Sequence, residues 1–448
     1  MWSQSEHVVV TVLAGAVLLT PLRSAAEETA PWWIAGAQVT SINQVNTRVS
    51  GGPFNPDLSF GTEPSYGWSL TASLFGAVSP WRNGVLVLMP EYANGRGLPN
   101  ASGLGGYPNG DIVRVPALGK EPYIARAFYH QDFRLSADDS GEAADFEGRF
   151  MPAGLHALGA GRASSRVEFT VGKFAANDFF DVSAVGSDPR HHFMNWALME
   201  NGAWDYAADT RGYTWGVVVA YETPRFAVRG GIATMPTTAN GPDFDWDLAH
   251  HRSEMLEGEI RHTAFGQPGT VKLLLFANHA HMGRYQDALD RGGTPDIHAV
   301  EREGALKYGA GLLVDQQIAE GAVAFARIGW NDGHTETFAF TEIDRSASIG
   351  AEWMGIAWRR PKDRLGLAVA ASGLSRPHLR YLSAGGQGFQ LGDGALTYGV
   401  EALVELTYLV HITRFIEITA DTQGVLNPGM NAMRGPAAVF GLRLHAHY

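Results

Sequence analysis

The chain has 448 residues, of which 45% are hydrophobic and 18% are charged, with a formal net charge of −12 and no cysteine. Beyond the N-terminal region no apolar run reaches the roughly 18 residues that a membrane-spanning helix needs, which excludes a helical membrane bundle. The acidic balance argues against a nucleic-acid-binding protein, because such proteins carry a basic face. The lack of cysteine excludes disulfide scaffolds, thiol catalysis and cysteine-ligated metal centres.

Residues 1–26 are predicted to form a cleaved signal peptide. The apolar run at 8–19 is too short to cross a bilayer but fits a signal-peptide core, and the small residues at 24–26 suit a cleavage site. Residues 1–7 contain no lysine or arginine, and a buried N-terminal helix is the alternative interpretation. We therefore expect export, and a single mature domain over residues 27–448.

The mature chain is a series of segments of about ten residues in which apolar and polar positions alternate, as in strands with two different faces. In the clearest segment, Glu401 and Glu405 oppose an apolar row with an aromatic residue at each end. The row consists of Tyr398, Val400, Ala402, Val404, Leu406 and Tyr408. Such a row is typical of a strand that crosses a bilayer, whereas in a soluble sandwich it would face the core.

The connections between these segments differ in length. Short turns at 266–269 and 320–321 alternate with long polar stretches. The long stretches span residues 93–122, 137–161, 178–211 and 281–303. Short turns at one end and long loops at the other are typical of an outer-membrane barrel.

The last segment alternates up to the final residue, Tyr448. Its apolar positions oppose Arg443, His445 and His447, which require a wet interior. If each strand and its connection together take about 26 residues, the 422 residues after residue 26 form about 16 strands. A barrel of 16 strands is wide enough to enclose an aqueous channel.

We therefore predict an all-β fold: a transmembrane antiparallel up-and-down β-barrel of about 16 strands, with long extracellular loops, some of which fold into the lumen. Because the last strand is expected to end at the periplasmic side, the turn at 410–413 should face the periplasm. The loop at 426–436 should face the exterior.

Sequence motifs of common enzymes are absent: the phosphate loop, the dinucleotide fingerprint, the nucleophile elbow and the HExxH zinc motif. Histidine pairs do occur at 191/192, 250/251, 279/281 and 445/447. Histidines two apart on a strand share a face and could in principle hold a metal, but no third ligand lies at a suitable spacing. We interpret them as polar lumen or loop residues, and we expect no enzyme activity, no metal and no cofactor.

Five segments resemble the carbohydrate-selective porins of the OprB family, and they occur in the family's order. They are residues 89–110, 171–213, 328–344, 373–394 and 427–448, the last of which reads NPGMNAMRGPAAVFGLRLHAHY. The resemblance covers essentially the whole mature chain. It implies a 16-strand barrel in the Gram-negative outer membrane, in contact with lipid and lipopolysaccharide, through which small neutral sugars diffuse passively. Whether one barrel or three form the assembly is left open.

A pore that selects neutral sugars needs planar hydrogen-bond donors, carboxylate acceptors and aromatic faces. The chain has only five lysines among its 34 basic residues, and this preference for arginine suits the task, although codon usage explains it equally well. We expect the glycine-rich stretch at 91–107, with Glu91 and Arg96, to fold into the lumen and narrow it. The lumen wall is expected to carry the inward strand residues Arg126, Arg166 and Glu168.

The strongest single cluster lies inside the resembling segment 171–213 and consists of Trp204, Asp205, Tyr206, Asp209, Thr210 and Arg211. We expect Trp204, Asp205 and Arg211 to lie on the sugar path. The alternative is a packed loop held by a bond from Arg211 to Asp205 or Asp209, since ion pairs within loops are common and weak.

Three other functions compete with a sugar pore. A barrel of the same class would pass other small solutes such as anions or organic acids, or an exported polysaccharide, and an excess of arginine over acid at the constriction would favour the anions. An outer-membrane barrel enzyme needs a serine–histidine or acidic site near the rim, and no candidate serine stands out. A soluble sugar-binding sandwich would not form a detergent-resistant barrel.

Overall fold

The computed structural model of the chain describes residues 32–51, 55, 58–98, 107–111, 121–137 and 162–448. The predicted signal peptide, residues 1–26, lies outside the described residues. Three short α-helices occur among them: α1 (Trp196–Met199), α2 (Tyr285–Asp290) and α3 (Arg376–Ser383). In the part of the chain that the structure describes, no helix is long and apolar enough to cross a membrane.

Sixteen antiparallel strands close into a barrel in which each strand pairs with its neighbours along the chain. The strands are β1 (Trp33–Asn46), β2 (Tyr66–Trp81), β3 (Gly84–Arg96), β4 (Tyr123–Arg134), β5 (Arg166–Phe174), β6 (Thr214–Glu222), β7 (Phe226–Thr234), β8 (Arg252–Ala264), β9 (Gln267–Met282), β10 (Arg302–Ala319), β11 (Ala322–Asn331), β12 (Arg345–Gly355), β13 (Arg360–Gly373), β14 (Glu401–Thr413), β15 (Ile416–Leu426) and β16 (Ala437–His447). Strands β1 and β16 close the barrel, pairing from Gln38 opposite His447 to Asn46 opposite Val439. The predicted all-β, up-and-down barrel of 16 strands is confirmed.

The two faces of each strand differ in the way that the alternation predicts. In β14 the side chain of Leu406 is 47% exposed on the outer face, whereas that of Glu405 is fully buried inside the barrel. In β16 Leu444 points outward, while Arg443 and His445 point inward. Apolar side chains therefore cover the surface that hydrocarbon would surround. The interior holds charged and polar side chains together with buried apolar ones such as Phe325.

Aromatic residues lie near both ends of the outer surface. The rings of Trp358 and Tyr408 are 6.4 Å apart near one end, and those of Tyr308 and Trp330 are 5.8 Å apart near the other. Tryptophan and tyrosine favour the two membrane–water interfaces. The band between these pairs therefore corresponds to the hydrocarbon layer.

The two ends of the barrel differ in their connections. At one end, which we call the short-turn end, the connections are residues 82–83, 223–225, 265–266, 320–321, 356–359 and 414–415. At the other, which we call the loop end, they are residues 47–65, 97–122, 175–213, 235–251, 283–301, 332–344, 374–400 and 427–436.

Two sequence-based expectations about the connections need correction. The turn expected at 410–413 is wrong, because these residues continue β14 and the chain turns at 414–415. The connection at 135–165 is long although it joins β4 to β5 at the short-turn end, so the separation of short turns from long loops is incomplete. Residues 138–161 of this connection lie outside the described residues.

Residues 175–213, which join β5 to β6, fold back into the barrel, and we call this segment the inner loop. Phe180, Phe193 and Trp204 are fully buried within it. The ring of Phe193 packs 6.0 Å from that of Phe325, an inward residue of β11. The inner loop is therefore an element that narrows the lumen.

Candidate functional site

Charged residues on the inward faces of the strands fix the inner loop across the lumen. The carboxylate of Glu405 accepts hydrogen bonds from the backbone N–H groups of Met194 and Asn195, at 2.5 and 3.0 Å. On β11, Arg327 Nε lies 2.9 Å from an oxygen of Asp181. Because these groups are buried and paired, the loop is held in a defined position rather than left in solvent.

The inner loop leaves a cavity between itself and strands β2 to β4, and we call it the loop-side cavity. The polar residues that line it include Glu91, Asp111, Tyr123, Arg126, Arg190, Asp209, Arg211 and Tyr213. The loop-side cavity therefore combines arginine donors, carboxylate acceptors and tyrosine rings.

Glu91 of β3 is the central acceptor of this cavity. Its Oε1 accepts hydrogen bonds from the hydroxyls of Tyr123 and Tyr213, at 2.6 and 2.9 Å. Its Oε2 accepts from Ser73 Oγ at 2.7 Å and from Arg190 Nη2 at 3.0 Å. A carboxylate can accept about four hydrogen bonds, so Glu91 is saturated and fixes both tyrosine rings in place.

Two arginines cover these tyrosine rings. The guanidinium of Arg211 lies 4.0 Å from the ring centroid of Tyr123, and that of Arg126 lies 5.2 Å from that of Tyr213. Asp209 Oδ1 accepts the backbone N–H of Arg211 at 2.9 Å, which orients this turn of the loop. A planar cation over an aromatic face is favourable and keeps the forked donors directed along the ring plane.

The electrostatics of the inner loop keep its groups in fixed states. Burial raises the pKa of the Tyr213 phenol well above its ordinary value, and Glu91 raises it further, so the hydroxyl remains a donor. Burial also raises the pKa of the Asp209 carboxyl, and the ammonium of Lys173, 3.6 Å away, opposes that rise.

The Arg126–Asp178 ion pair separates this cavity from a second one. Arg126 lines the loop-side cavity, whereas Asp178 lines a second cavity towards the short-turn end, which we call the turn-side cavity. Arg166 and Glu168 line the turn-side cavity, where Arg166 Nε lies 2.7 Å from Glu168 Oε1. The ion pair thus lies between the two spaces.

Two residues of the predicted cluster are not on the cavity surface. Trp204 has no exposed area and packs against the rings of Phe180 and Tyr206. The carboxylate of Asp205 is buried and accepts three backbone N–H groups of residues 338–340, at 2.8 to 3.0 Å. Their burial contradicts the expectation that they face the sugar path and agrees with a packed loop. The bonds to Asp205 come from residues 338–340, however, which the packed-loop alternative did not name.

The prediction for residues 91–107 is wrong for its first part. Residues 91–96 continue β3 instead of forming an inward loop, and Arg96 is exposed at the end of this strand, opposite Trp68. Residues 99–106 lie outside the described residues, and Tyr107 is buried against the inner loop, where its carbonyl accepts the N–H of Trp196 at 2.9 Å. Three of the predicted residues therefore meet at the loop-side cavity: Glu91, Arg126 and Arg211. Two others, Arg166 and Glu168, line the turn-side cavity. Arg96 lines neither cavity.

Sequence reasoning missed Tyr123, Arg190 and Tyr213. Simple alternation places Tyr123 on the outer face of β4, but the register of β3 and β4 shifts at Met89 and Pro90, which turns Tyr123 inward. Arg190 and Tyr213 lie within the resembling segment 171–213, so that segment was the available signal. Which of its many polar residues meet Glu91 depends on the path of the inner loop.

The comparisons with known proteins agree with this geometry. The family model of the carbohydrate-selective porins, OprB family, matches residues 81–448. The chain belongs to this family. The high-pH structure of Pseudomonas putida OprB is similar over 92% of this chain and 94% of that chain, with a TM-score of 0.63 and 17% identity.

Two further solved structures resemble this OprB-family chain more weakly. The low-pH structure of Pseudomonas putida OprB has a TM-score of 0.48 and 14% identity, covering 93% of this chain and 92% of that one. The outer membrane channel DcaP of Acinetobacter baumannii has a TM-score of 0.49 and 8% identity, covering 93% and 97%. No curated protein sequence matches the chain significantly. The family and the fold are those of outer-membrane channels.

Proposed function

We propose that small neutral sugars diffuse through this barrel by way of the loop-side cavity, cross the Arg126–Asp178 pair and leave through the turn-side cavity. The observation that carries the proposal is the cavity around Glu91, where arginine forks, carboxylates and tyrosine rings converge at the narrowed part of the lumen. Hydroxyl groups of a sugar match the arginine and carboxylate groups, and its C–H faces match the rings.

The charge balance of the loop-side cavity favours a neutral solute over an anion. Its lining includes three arginines and three carboxylates. The arginines are Arg126, Arg190 and Arg211, and the carboxylates are Glu91, Asp111 and Asp209. An anion-selective constriction needs an excess of cationic groups, whereas opposed charges create a transverse field that orders water and hydroxyls.

Within this cavity we assign the contact with solute chiefly to Arg211. Arg126 is fully buried and bonded to Asp178, whereas Arg211 is only partly buried at the cavity wall. Its contacts with a sugar must be weak and replaceable, because a pore has to release what it binds. Glu91 acts indirectly, by holding the rings on which the arginines rest.

For the setting of the pore, we propose that residues 1–26 are a cleaved signal peptide and that residues 27–448 form the mature barrel in the outer membrane. The outer apolar band would contact lipid, and the loop end would meet lipopolysaccharide. In barrels of this class, short turns face the periplasm, so we place the short-turn end there.

Liposome swelling tests the proposed function. Vesicles that contain the refolded barrel should swell in isotonic solutions of neutral mono- and disaccharides faster than in solutions of organic anions of similar size. Vesicles with heat-unfolded protein are the control for leakage. Faster entry of the anions would contradict a neutral-sugar pore and favour the anion pore.

A further inference from the structure

Three histidines from two distant parts of the chain meet inside the barrel near the short-turn end. His445 and His447 share the inward face of β16, the closing strand, and His191 reaches them from the inner loop. One ring nitrogen from each of the three lies within 4.8 Å of the others. The sequence showed only the pair on β16, and the fold supplies the third histidine.

Two of the rings are oriented by a second hydrogen bond. His191 Nδ1 lies 2.6 Å from a carboxylate oxygen of Asp188, and His445 Nδ1 lies 2.8 Å from Thr40 Oγ1. In both cases Nδ1 is engaged and Nε2 remains available. Metal-binding histidines usually have such a partner on the second nitrogen, because it fixes the tautomer and the direction of the ring.

Two ring nitrogens of the group are buried and lack a hydrogen-bond partner among the described residues. His445 is 1% exposed, and its Nε2 has no hydrogen-bond partner among the described residues. The same holds for Nδ1 of His447. An unpaired buried polar atom is costly, so a fully buried imidazole with one bonded and one unbonded nitrogen indicates a missing ligand.

A carboxylate lies next to the group. Glu417 of β15 is the cross-strand neighbour of His445, and its Oε2 lies 3.9 Å from His191 Nε2. That oxygen also has no hydrogen-bond partner in the part of the chain that the structure describes. The other oxygen, Oε1, lies 3.1 Å from His411 Nε2, which holds the carboxylate in place.

We propose that His191, His445 and His447 bind a divalent transition-metal ion of the Zn²⁺ type in the lumen wall, with the fourth coordination position open to water. Imidazole nitrogens suit Zn²⁺, Cu²⁺ and Ni²⁺ rather than Ca²⁺ or Mg²⁺, which prefer oxygen. Zn–N bonds of about 2.0–2.1 Å in a tetrahedral site put the ligand atoms about 3.4 Å apart. The three ring nitrogens, which lie within 4.8 Å of one another, must therefore move closer together when the ion binds.

The site is reachable from the lumen, because the side chain of His191 is 27% exposed. A bound ion would tie the inner loop to β16 at a point where Arg443 already donates hydrogen bonds to the backbone carbonyls of Pro189 and His192, at 2.6 and 2.8 Å. It would also add positive charge near the exit of the channel. Micromolar Zn²⁺ should therefore lower cation conductance through the open barrel.

Zn²⁺ itself is the probe for a direct binding test. Competition between the purified, folded barrel and a chromophoric chelator should show one Zn²⁺ per chain. Loss of an outer partner of a metal ligand typically costs 10- to 100-fold in affinity, so removal of a direct ligand in His191→Ala should weaken binding by at least about 100-fold. This variant leaves β16 intact, so barrel closure is not at risk.

The matched control removes a histidine pair of the same spacing elsewhere. The double variant His279→Ala/His281→Ala on β9 should bind Zn²⁺ as wild type does. X-ray absorption at the zinc edge should show four nitrogen or oxygen ligands with imidazole scattering, which His445→Ala should reduce if its barrel folds. Equal Zn²⁺ affinity in wild type and His191→Ala, or no stoichiometric binding by wild type, would overturn the proposal.

Discussion

The guanidinium of Arg126 and the carboxylate of Asp178 are joined by two hydrogen bonds of 2.8 and 2.6 Å, and the pair separates the two cavities of the lumen. Both side chains are almost fully buried. The same carboxylate accepts the backbone N–H of Ala175 at 3.0 Å, which fixes the start of the inner loop. One ion pair thus links the wall of β4 to the inner loop at a point on the proposed path.

Removal of the negative charge in Asp178→Asn should leave Arg126 as an uncompensated cation between the cavities. We expect the reversal potential in a KCl gradient to shift towards anion selectivity. The free energy of unfolding should fall by about 3–5 kcal/mol, as it does when one partner of a buried ion pair is lost. The double variant Arg126→Gln/Asp178→Asn, which has the net charge of wild type, should return the potential close to the wild-type value. An unchanged potential in Asp178→Asn would show that the pair lies away from the ion path.

The outer face of β14 provides a test of the membrane assignment. Leu406 lies near the middle of this strand, and its side chain is exposed on the outside. The substitution Leu406→Arg should lower the free energy of unfolding in lipid by about 2–4 kcal/mol, because it places a charge near the bilayer midplane. Leu406→Met conserves volume and should cost less than about 1.5 kcal/mol. Urea unfolding in vesicles measures the free energy of unfolding of both variants. Similar losses of unfolding free energy in the two variants would place the outer face of β14 outside the hydrocarbon.

A pH-sensitive contact holds two loops together at the loop end. Glu336 Oε1 accepts the backbone N–H of Gly283 at 2.6 Å. Burial raises the pKa of Glu336 to about 8 from its ordinary 4.5; Glu301 raises it too, and the Gly283 N–H and His298 oppose the rise. Between pH 4.5 and about pH 8, Glu336 keeps its proton in the folded chain but has lost it in the unfolded chain. The free energy of unfolding therefore falls as the pH rises through this range.

Limited trypsin digestion of the loop end at pH 6 and pH 9 measures this effect. We expect faster cleavage at pH 9 beyond the change in trypsin's own rate, which an unrelated substrate calibrates. In Glu336→Gln, where the side chain cannot ionise, the corrected rates at the two pH values should agree. A corrected rate in wild type that does not rise with pH would contradict the raised pKa.

Because Trp204 is buried, we expect it to contribute to stability and not to contact with sugar, unlike the expectation from the sequence. Because its ring packs against Phe180 and Tyr206 without any exposed area, Trp204→Phe should leave sugar block of the channel within about twofold of wild type. It should lower the free energy of unfolding by less than the 3–5 kcal/mol of a full truncation to alanine. A tenfold loss of sugar block with the barrel intact would return Trp204 to the sugar path.

The fold was predictable because it depends on local periodicity. The alternation around Leu406 and Glu405 fixes which face meets lipid, and chain length then gives the number of strands. The position of Tyr123 was not predictable, since a register shift at Met89 and Pro90 reverses its face. Asp205 gave no local sign that it would cap residues 338–340, more than 130 positions away.

The histidine group also shows what the sequence could and could not predict. His445 and His447 were visible as a pair because strand geometry relates neighbours two apart. His191 joins them only through the fold of the inner loop, so the interpretation of the pair as plain lining residues missed a third nitrogen donor. Contacts between residues distant in sequence are what periodicity cannot supply.

Sugar-dependent block of single-channel current is the most direct test of the central claim, that neutral sugars contact Arg211 in the loop-side cavity. Loss of a charged hydrogen bond costs roughly 1.5–3 kcal/mol, so the sugar concentration for half block should rise about ten- to hundredfold in Arg211→Ala. The matched control Arg96→Ala removes an arginine that lies outside both cavities and should behave as wild type. If Arg211→Ala folds, conducts and is blocked at the wild-type sugar concentration, the loop-side cavity is not where this porin recognises its solute.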